Sequence, residues 1–210
     1  MVRQSRADAR RNQQTILRIA DEIFQGSADG PAVSMNEIAD AAGVGKATLF
    51  RNFGDRAGLL RSVLRARTDG IASAVRSGPP PLGPGSTPDA RVRAVVEGLV
   101  RLKLDNLELV RAIEDTRQVA GAPTIFESDD YRWIHEVLAG ELARLGDAVQ
   151  PRLGAHAILA LTRADLLACQ VVQEKLPAEQ VIDGILRVID SLIVGVAEDS
   201  SVSGGSRSGQ

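Results

Sequence analysis

Lys46, Thr48, Arg51 and Asn52 fall within the seven residues KATLFRN, and this set can hold anions and read base edges. An Arg guanidinium pairs bidentately with guanine O6 and N7, and a Lys ammonium reaches a guanine edge or a phosphate. Thr and Asn add neutral hydrogen bonds of the kind that fix a protein on a nucleic-acid backbone. Ser34 and Arg56 stand where helices are expected to begin, so the free amides of a helix N-terminus reinforce their hold on phosphate.

The catalytic inventory is thin. The sequence has no HExxH, no Glu-x-x-His pair, no CxxC, no GxxxxGK[ST] loop and no GxSxG elbow. Its histidines number two and its cysteines one. A Cys169–His156 nucleophilic pair would have to span about 20 Å of a single expected helix at 1.5 Å per residue. No enzyme, metal site or cofactor is therefore expected, and lone Cys169 cannot form an internal disulfide. The later two-thirds of the chain offer Arg111, Asp115, Trp133, Asp165 and Cys169 as candidate contacts for a small ligand, with Tyr131, His135, Glu114 and Arg117 as further polar or aromatic groups. Trp133 and Phe126 suit core anchors better than ligand platforms, and His135 with Glu136 suits a surface or half-buried pair better than a binding group. Asp165, within LTRADLLACQ, would be costly to bury unpaired. Arg163 does not share its helical face, so another partner or a cationic ligand group is expected.

Helices must position these residues, because apolar positions recur at three and four along nearly the whole chain and no strand alternation appears. A first helix from about Ala7 to Gln25 groups Ile16, Ala20, Ile23 and Phe24, and Gly26 to Pro31 stops it. Ser34 and Glu37 have capping-box spacing. Gly43 then turns the chain with no Cβ penalty, and a second short helix follows over about Lys46 to Asn52. Ile38, Ala39, Val44 and Leu49 point inward and leave the polar residues of the second helix outward, the arrangement of a DNA-reading helix-turn-helix. The expected organisation is residues 1–54 as this domain with a basic arm at 1–8, and 55–76 as a connecting helix. A Pro/Gly-rich linker or loop covers 77–89, a helical ligand-binding and dimerisation domain 90–197, and a disordered tail 198–210. Later helices are expected over Leu107 to Val119, Asp129 to Leu145, Leu153 to Glu174 and Ala178 to Ala197, the last two as a hairpin. The fold class is all-α.

Charge supports a head distinct from the body. The chain has a net charge of −2, yet residues 1–68 hold eleven Lys and Arg against seven Asp and Glu, and the remainder holds fourteen against twenty. An anion-binding head on an acidic body follows. No stretch approaches about 20 uninterrupted apolar residues and no secretory signal opens the chain, so a cytoplasmic protein with no membrane association is expected.

ILRIADEIF followed by SMNEIADAAGVGKATLFRNFGDRAGLL, over about residues 9–66, resembles the N-terminal domain of the TetR family of repressors. The resemblance implies a three-helix DNA-binding head, a fourth connecting helix, an all-helical ligand-binding body and a homodimer through the last two helices. It also implies that a small-molecule inducer moves the heads and releases a double-stranded, palindromic operator. Carried over position by position, it places Lys46, Thr48, Phe50, Arg51 and Asn52 at the DNA face and Arg56 at the start of the fourth helix, and Ser34 and Gly45 complete the candidate DNA contacts. Phe50 stands where the family usually has Tyr, Asn52 where His is common, and Gly45 where Ser is common. These departures are expected to change which operator is read. A constitutive or architectural DNA-binding protein, and an activator on the same scaffold, are the alternatives.

Overall fold

The computed structural model describes residues 2–26, 33–115, 124–146 and 150–202, with side chains described from 11 to 193 within those spans except at Asp115. Among the described residues every regular element is helical: α1 (Val2–Gly26), α2 (Met35–Ala41), α3 (Lys46–Phe53), α4 (Arg56–Ser77), α5 (Pro88–Asp105), α6 (Leu107–Asp115), α7 (Asp129–Ala143), α8 (Pro151–Leu161), α9 (Ala164–Ala168) and α10 (Ala178–Val202). A 3-10 turn at Ile125–Glu127 precedes α7, and a π-helical turn at Cys169–Gln173 follows α9. The chain divides into two compact units, residues 1–69 with 106–122 and residues 70–105 with 123–210.

The first unit closes around a core that the apolar spacing of its helices dictates. Ile16, Ala20 and Phe24 of α1 meet Met35, Ile38 and Ala39 of α2, Leu49 and Phe53 of α3, and Leu59, Leu60 and Val63 of α4. Each large side chain taken from water there contributes roughly 1.5–3 kcal/mol. Leu109 and Ile113, one turn apart on α6, complete this core, so residues 106–115 belong to the first unit rather than to the body. Arg67 fixes that placement: its Nε donates to Asp21 Oδ1 at 2.6 Å and its Nη1 to Asn106 Oδ1 at 2.8 Å.

The second unit packs α7 chiefly on α8, and α10 chiefly on α5. At its centre Arg91 donates to Glu141 Oε1 at 2.6 Å and to the Val75 carbonyl at 3.0 Å, while Arg144 donates to Glu141 Oε2 at 2.6 Å. Glu141 is buried and Arg91 nearly so, so a charge-assisted network links α4, α5 and α7 where an apolar pattern gives no hint of it.

Several expectations require correction. The 77–89 stretch was expected to separate two halves, yet it lies inside the second unit and the division falls at Asp69 and Gly70 within α4. Its turns are tight: Gly83 donates to the Pro79 carbonyl at 3.0 Å, and a Cβ on Gly83 would lie 1.8 Å from the Gly78 carbonyl oxygen. The expected single helix from Leu153 to Glu174 is broken. Thr162 ends α8, and Arg163, in an extended conformation with ψ 139, caps α9. Lys103 Nζ donates to the Thr162 carbonyl at 2.5 Å, satisfying an acceptor that the break leaves without a helical partner. By length and composition the run Pro151–Gln173 could cross a membrane, but Arg163 and Asp165 interrupt it and Ile158, Leu159 and Leu167 belong to the core. The last two helical stretches, expected as a hairpin, meet where α10 packs on the Cys169–Gln173 turn, while α8 packs chiefly on α7 and α10 chiefly on α5. Helix α1 begins at Val2, before Ala7, and α10 continues to Val202. Of the expected tail, 203–210 lies outside the described residues, as do the expected helical residues 116–119 and Arg117.

Candidate nucleic-acid interface

Helices α2 and α3 form the turn that the sequence predicts. Ser34 accepts from the Glu37 amide at 3.3 Å and its own amide donates to Glu37 Oε2 at 2.8 Å, a full capping box. The Ser34 hydroxyl, together with its backbone amide, holds the Glu37 carboxyl below the ordinary carboxylate range. Gly43 adopts φ 64, the left-handed region, and Val44 donates back to the Ala39 carbonyl at 3.0 Å. Ile38, Ala39 and Leu49 are buried at this crossing, while Val44 is half-buried.

With Leu49 and Phe53 turned inward, the opposite side of α3 is left to Lys46, Phe50, Arg51 and Asn52, all exposed, with Thr48 half-buried. Gly45 is the N-cap and contributes no side-chain cap. Lys46 Nζ sits 5.9 Å from the Phe50 ring centroid. Among the described residues the side chains of Lys46, Arg51 and Arg56 make no hydrogen bond or ion pair. Arginines elsewhere are engaged: Arg67 with Asp21, Arg91 and Arg144 with Glu141, Arg101 with Glu97 and Glu179, and Arg152 with Glu136. Cations left without carboxylates on α3 and at the start of α4 are placed to receive an external anion. Arg56 opens α4, whose start is further fixed by Asp55 accepting the Gly58 amide at 2.6 Å. Met35 and Phe53, absent from the sequence-level core, are buried in it. Both sit at the ends of short helices, where helical spacing carries little signal.

The ligand candidates are dispersed. Arg111 lies in the first unit, exposed and 3.5 Å from Glu108. Asp115 ends α6 there, and its side chain lies outside the described residues. In the second unit Trp133 is half-buried beneath the Arg76 guanidinium, 4.5 Å from its ring centroid. Cys169 Sγ approaches Gln173 Oε1 at 3.5 Å and Glu174 Oε1 at 3.7 Å. Asp165 is exposed and paired with Arg163 after all, by Nη2 at 2.7 Å and Nε at 3.0 Å. Arg163 caps α9 instead of lying within a helix, so the helical-face argument against this pair does not apply. Arg163 first, and then the Leu166 amide, hold the Asp165 carboxyl below its ordinary range.

Sequence reasoning did not group the rings of Phe126, Tyr131, His135 and His156, which the structure brings together. His135 and His156 are 4.1 Å apart between centroids, and Phe126 meets Tyr131 edge-on at 5.2 Å. Tyr131 Oη and His156 Nδ1 share a hydrogen bond at 2.6 Å, and buried His135 donates through Nε2 to the Arg152 carbonyl at 3.0 Å. Burial pushes the Tyr131 phenol up; burial, His135 and Arg152 push His156 down.

A helix-turn-helix with an exposed cationic second helix, in a unit joined through the chain to a helical body, defines the class of helical DNA-binding proteins. The family comparisons agree. Residues 27–63 match the model described as bacterial regulatory proteins, tetR family. The HTH-type transcriptional repressor LfrR of Mycolicibacterium smegmatis (strain ATCC 700084 / mc(2)155) is 36% identical over 90 residues, 43% of this chain and 46% of that protein. The chain thus spans about half the length of that curated relative. The crystal structure of a TetR-family transcriptional regulator from Rhodococcus sp. superposes with a TM-score of 0.61 at 18% identity, covering 87% of this chain and 98% of the other, which shows the shared fold. That of LfrR from Mycobacterium smegmatis in complex with proflavine gives 0.50 at 26% identity, covering 87% and 96%. The chain is thus similar to TetR-family regulators over residues 27–63 and shares their fold.

Proposed function

We propose that the chain is a sequence-specific, DNA-binding transcriptional repressor, released from its operator by a small molecule bound in the body. The observation that carries this reading is α3: Lys46 and Arg51 are exposed and unpaired among the described residues, on a helix whose other side is locked into the core by Leu49 and Phe53. Arg51 reads a guanine, Lys46 a guanine edge or phosphate, and Ser34, Gly45, Thr48, Asn52 and Arg56 hold the backbone. A homodimer places two such helices about 34 Å apart on one face of a palindromic duplex. Leu153, Ala157 and Ala160 on α8, and Gly184, Val188 and Leu192 on α10, are exposed at helical spacing, and these small or apolar stripes support dimerisation there.

The repressor named LfrR supports the sign of regulation, and its structure with proflavine supports a body able to take a small organic ligand. Trp133 and Cys169, both half-buried in the second unit, are the contacts we assign to that ligand. Its binding acts through α4, whose residues are shared between the two units. Footprinting on the intergenic DNA beside its own gene tests the reading. Protection of one short palindrome is expected, and protection spread without sequence preference would instead indicate an architectural protein.

A further inference from the structure

Among the described residues of the first unit, Phe50 is the one exposed large hydrophobic side chain. The others so exposed, Phe126, Leu153, Leu166, Val172, Val188 and Leu192, all belong to the second unit. A single exposed apolar residue is ordinary on a protein surface, but the surroundings of Phe50 are not those of a protein-docking patch. It stands between Lys46, one turn earlier, and Arg51 and Asn52, with no apolar neighbour exposed beside it on α3 except Ala47. Lys46 Nζ, 5.9 Å from the centroid, draws a cation to the ring and makes the two side chains one unit. The face therefore offers one apolar spot set among cations and amides.

The phenyl ring can neither donate nor accept a conventional hydrogen bond, so it cannot recognise phosphate oxygen, guanine O6 or adenine N6. In the major groove the base edges present one apolar group, the 5-methyl of thymine. We infer that Phe50 is a specificity-determining residue that reads a thymine 5-methyl group in each half-site, beside the position contacted by Lys46. This inference rests on the proposed DNA-binding function and adds the base and the atom recognised.

The test uses the full-length chain and the duplex it recovers from a random-sequence library. Each thymine is replaced in turn by deoxyuridine, which removes only the methyl group and leaves base pairing intact. One thymine position per half-site should then weaken wild-type binding about fourfold, the value of one buried methyl group, and roughly sixteenfold when both half-sites are changed. Phe50→Ala should bind the thymine and uracil duplexes equally. Arg51→Ala, weaker overall, should keep the thymine-to-uracil ratio. Thermal melting of Phe50→Ala confirms that it is folded, as expected for a side chain outside the core. Recovery of a specific duplex in which no thymine shows the effect, or one whose effect survives in Phe50→Ala, would overturn the inference while leaving the DNA-binding reading intact. Failure to recover any preferred duplex would overturn both.

Discussion

Two arginines five chain positions apart illustrate how much the role of a side chain depends on its immediate setting. Arg51 projects from α3 without a partner among the described residues, whereas Arg56 opens α4 beside the amides of a helix start. Arg51→Ala should cost operator binding roughly 1–3 kcal/mol and relax one base position, while Arg56→Ala should weaken all duplexes alike. Competition assays with single-base operator variants separate the two, and unchanged sequence preference in Arg51→Ala would exclude it from readout. His156 gives a residue-scale prediction in the second unit. Burial first, and then the charges of His135 on α7 and Arg152 on α8, hold its pKa below the ordinary 6.5, so the unfolded chain takes up the proton first. The stability tied to neutral His156 is therefore present above about pH 6.5 and falls away as pH drops through the unfolded and then the folded value. Melting temperatures at pH 7.5 and 5.5 should differ more for the wild type than for His156→Gln. Equal differences would mean that this imidazole does not set the acid response.

At the scale of elements, the helix-turn-helix was legible because every local signal agreed. Ser34 and Glu37 define a cap, Gly43 a left-handed turn, and Ile38 and Leu49 a buried crossing, and the structure contains all three. Elements whose placement depends on distant partners were not legible. Helix α6 has an apolar pair, Leu109 and Ile113, that serves any core equally well, and only its folding into the first unit selects one. The break at Thr162 carries no Gly or Pro, and what stabilises it is Lys103, fifty-nine residues away. The Arg91, Glu141 and Arg144 network is likewise invisible to helical spacing, because long-range ion pairs leave no periodic trace. Glu141→Ala should therefore destabilise the protein by about 3–5 kcal/mol, since two guanidinium groups would lose their shared carboxylate and Arg91 is almost fully enclosed. Denaturant titration measures this, and a loss below about 1 kcal/mol, the level of an exposed pair, would show that the network contributes little.

For the whole molecule, reading a palindromic operator requires two heads on one rigid twofold assembly. The exposed stripes on α8 and α10 are where charge should do the most damage: Val188→Asp or Leu153→Asp should convert a dimer to monomers in sedimentation while leaving helix content unchanged. A dimer that persists in both variants would place the interface elsewhere. Operator affinity should fall when dimerisation is lost, because a lone head neutralises half the phosphates and forfeits the second half-site. DNA reading is measured by equilibrium binding of the purified chain to its footprinted duplex, titrated against salt and against excess unrelated DNA. The logarithm of affinity should fall steeply and linearly with the logarithm of salt concentration, and unrelated DNA should bind at least about a thousandfold more weakly. Equal affinity for unrelated DNA, or binding insensitive to salt, would contradict sequence-specific DNA reading.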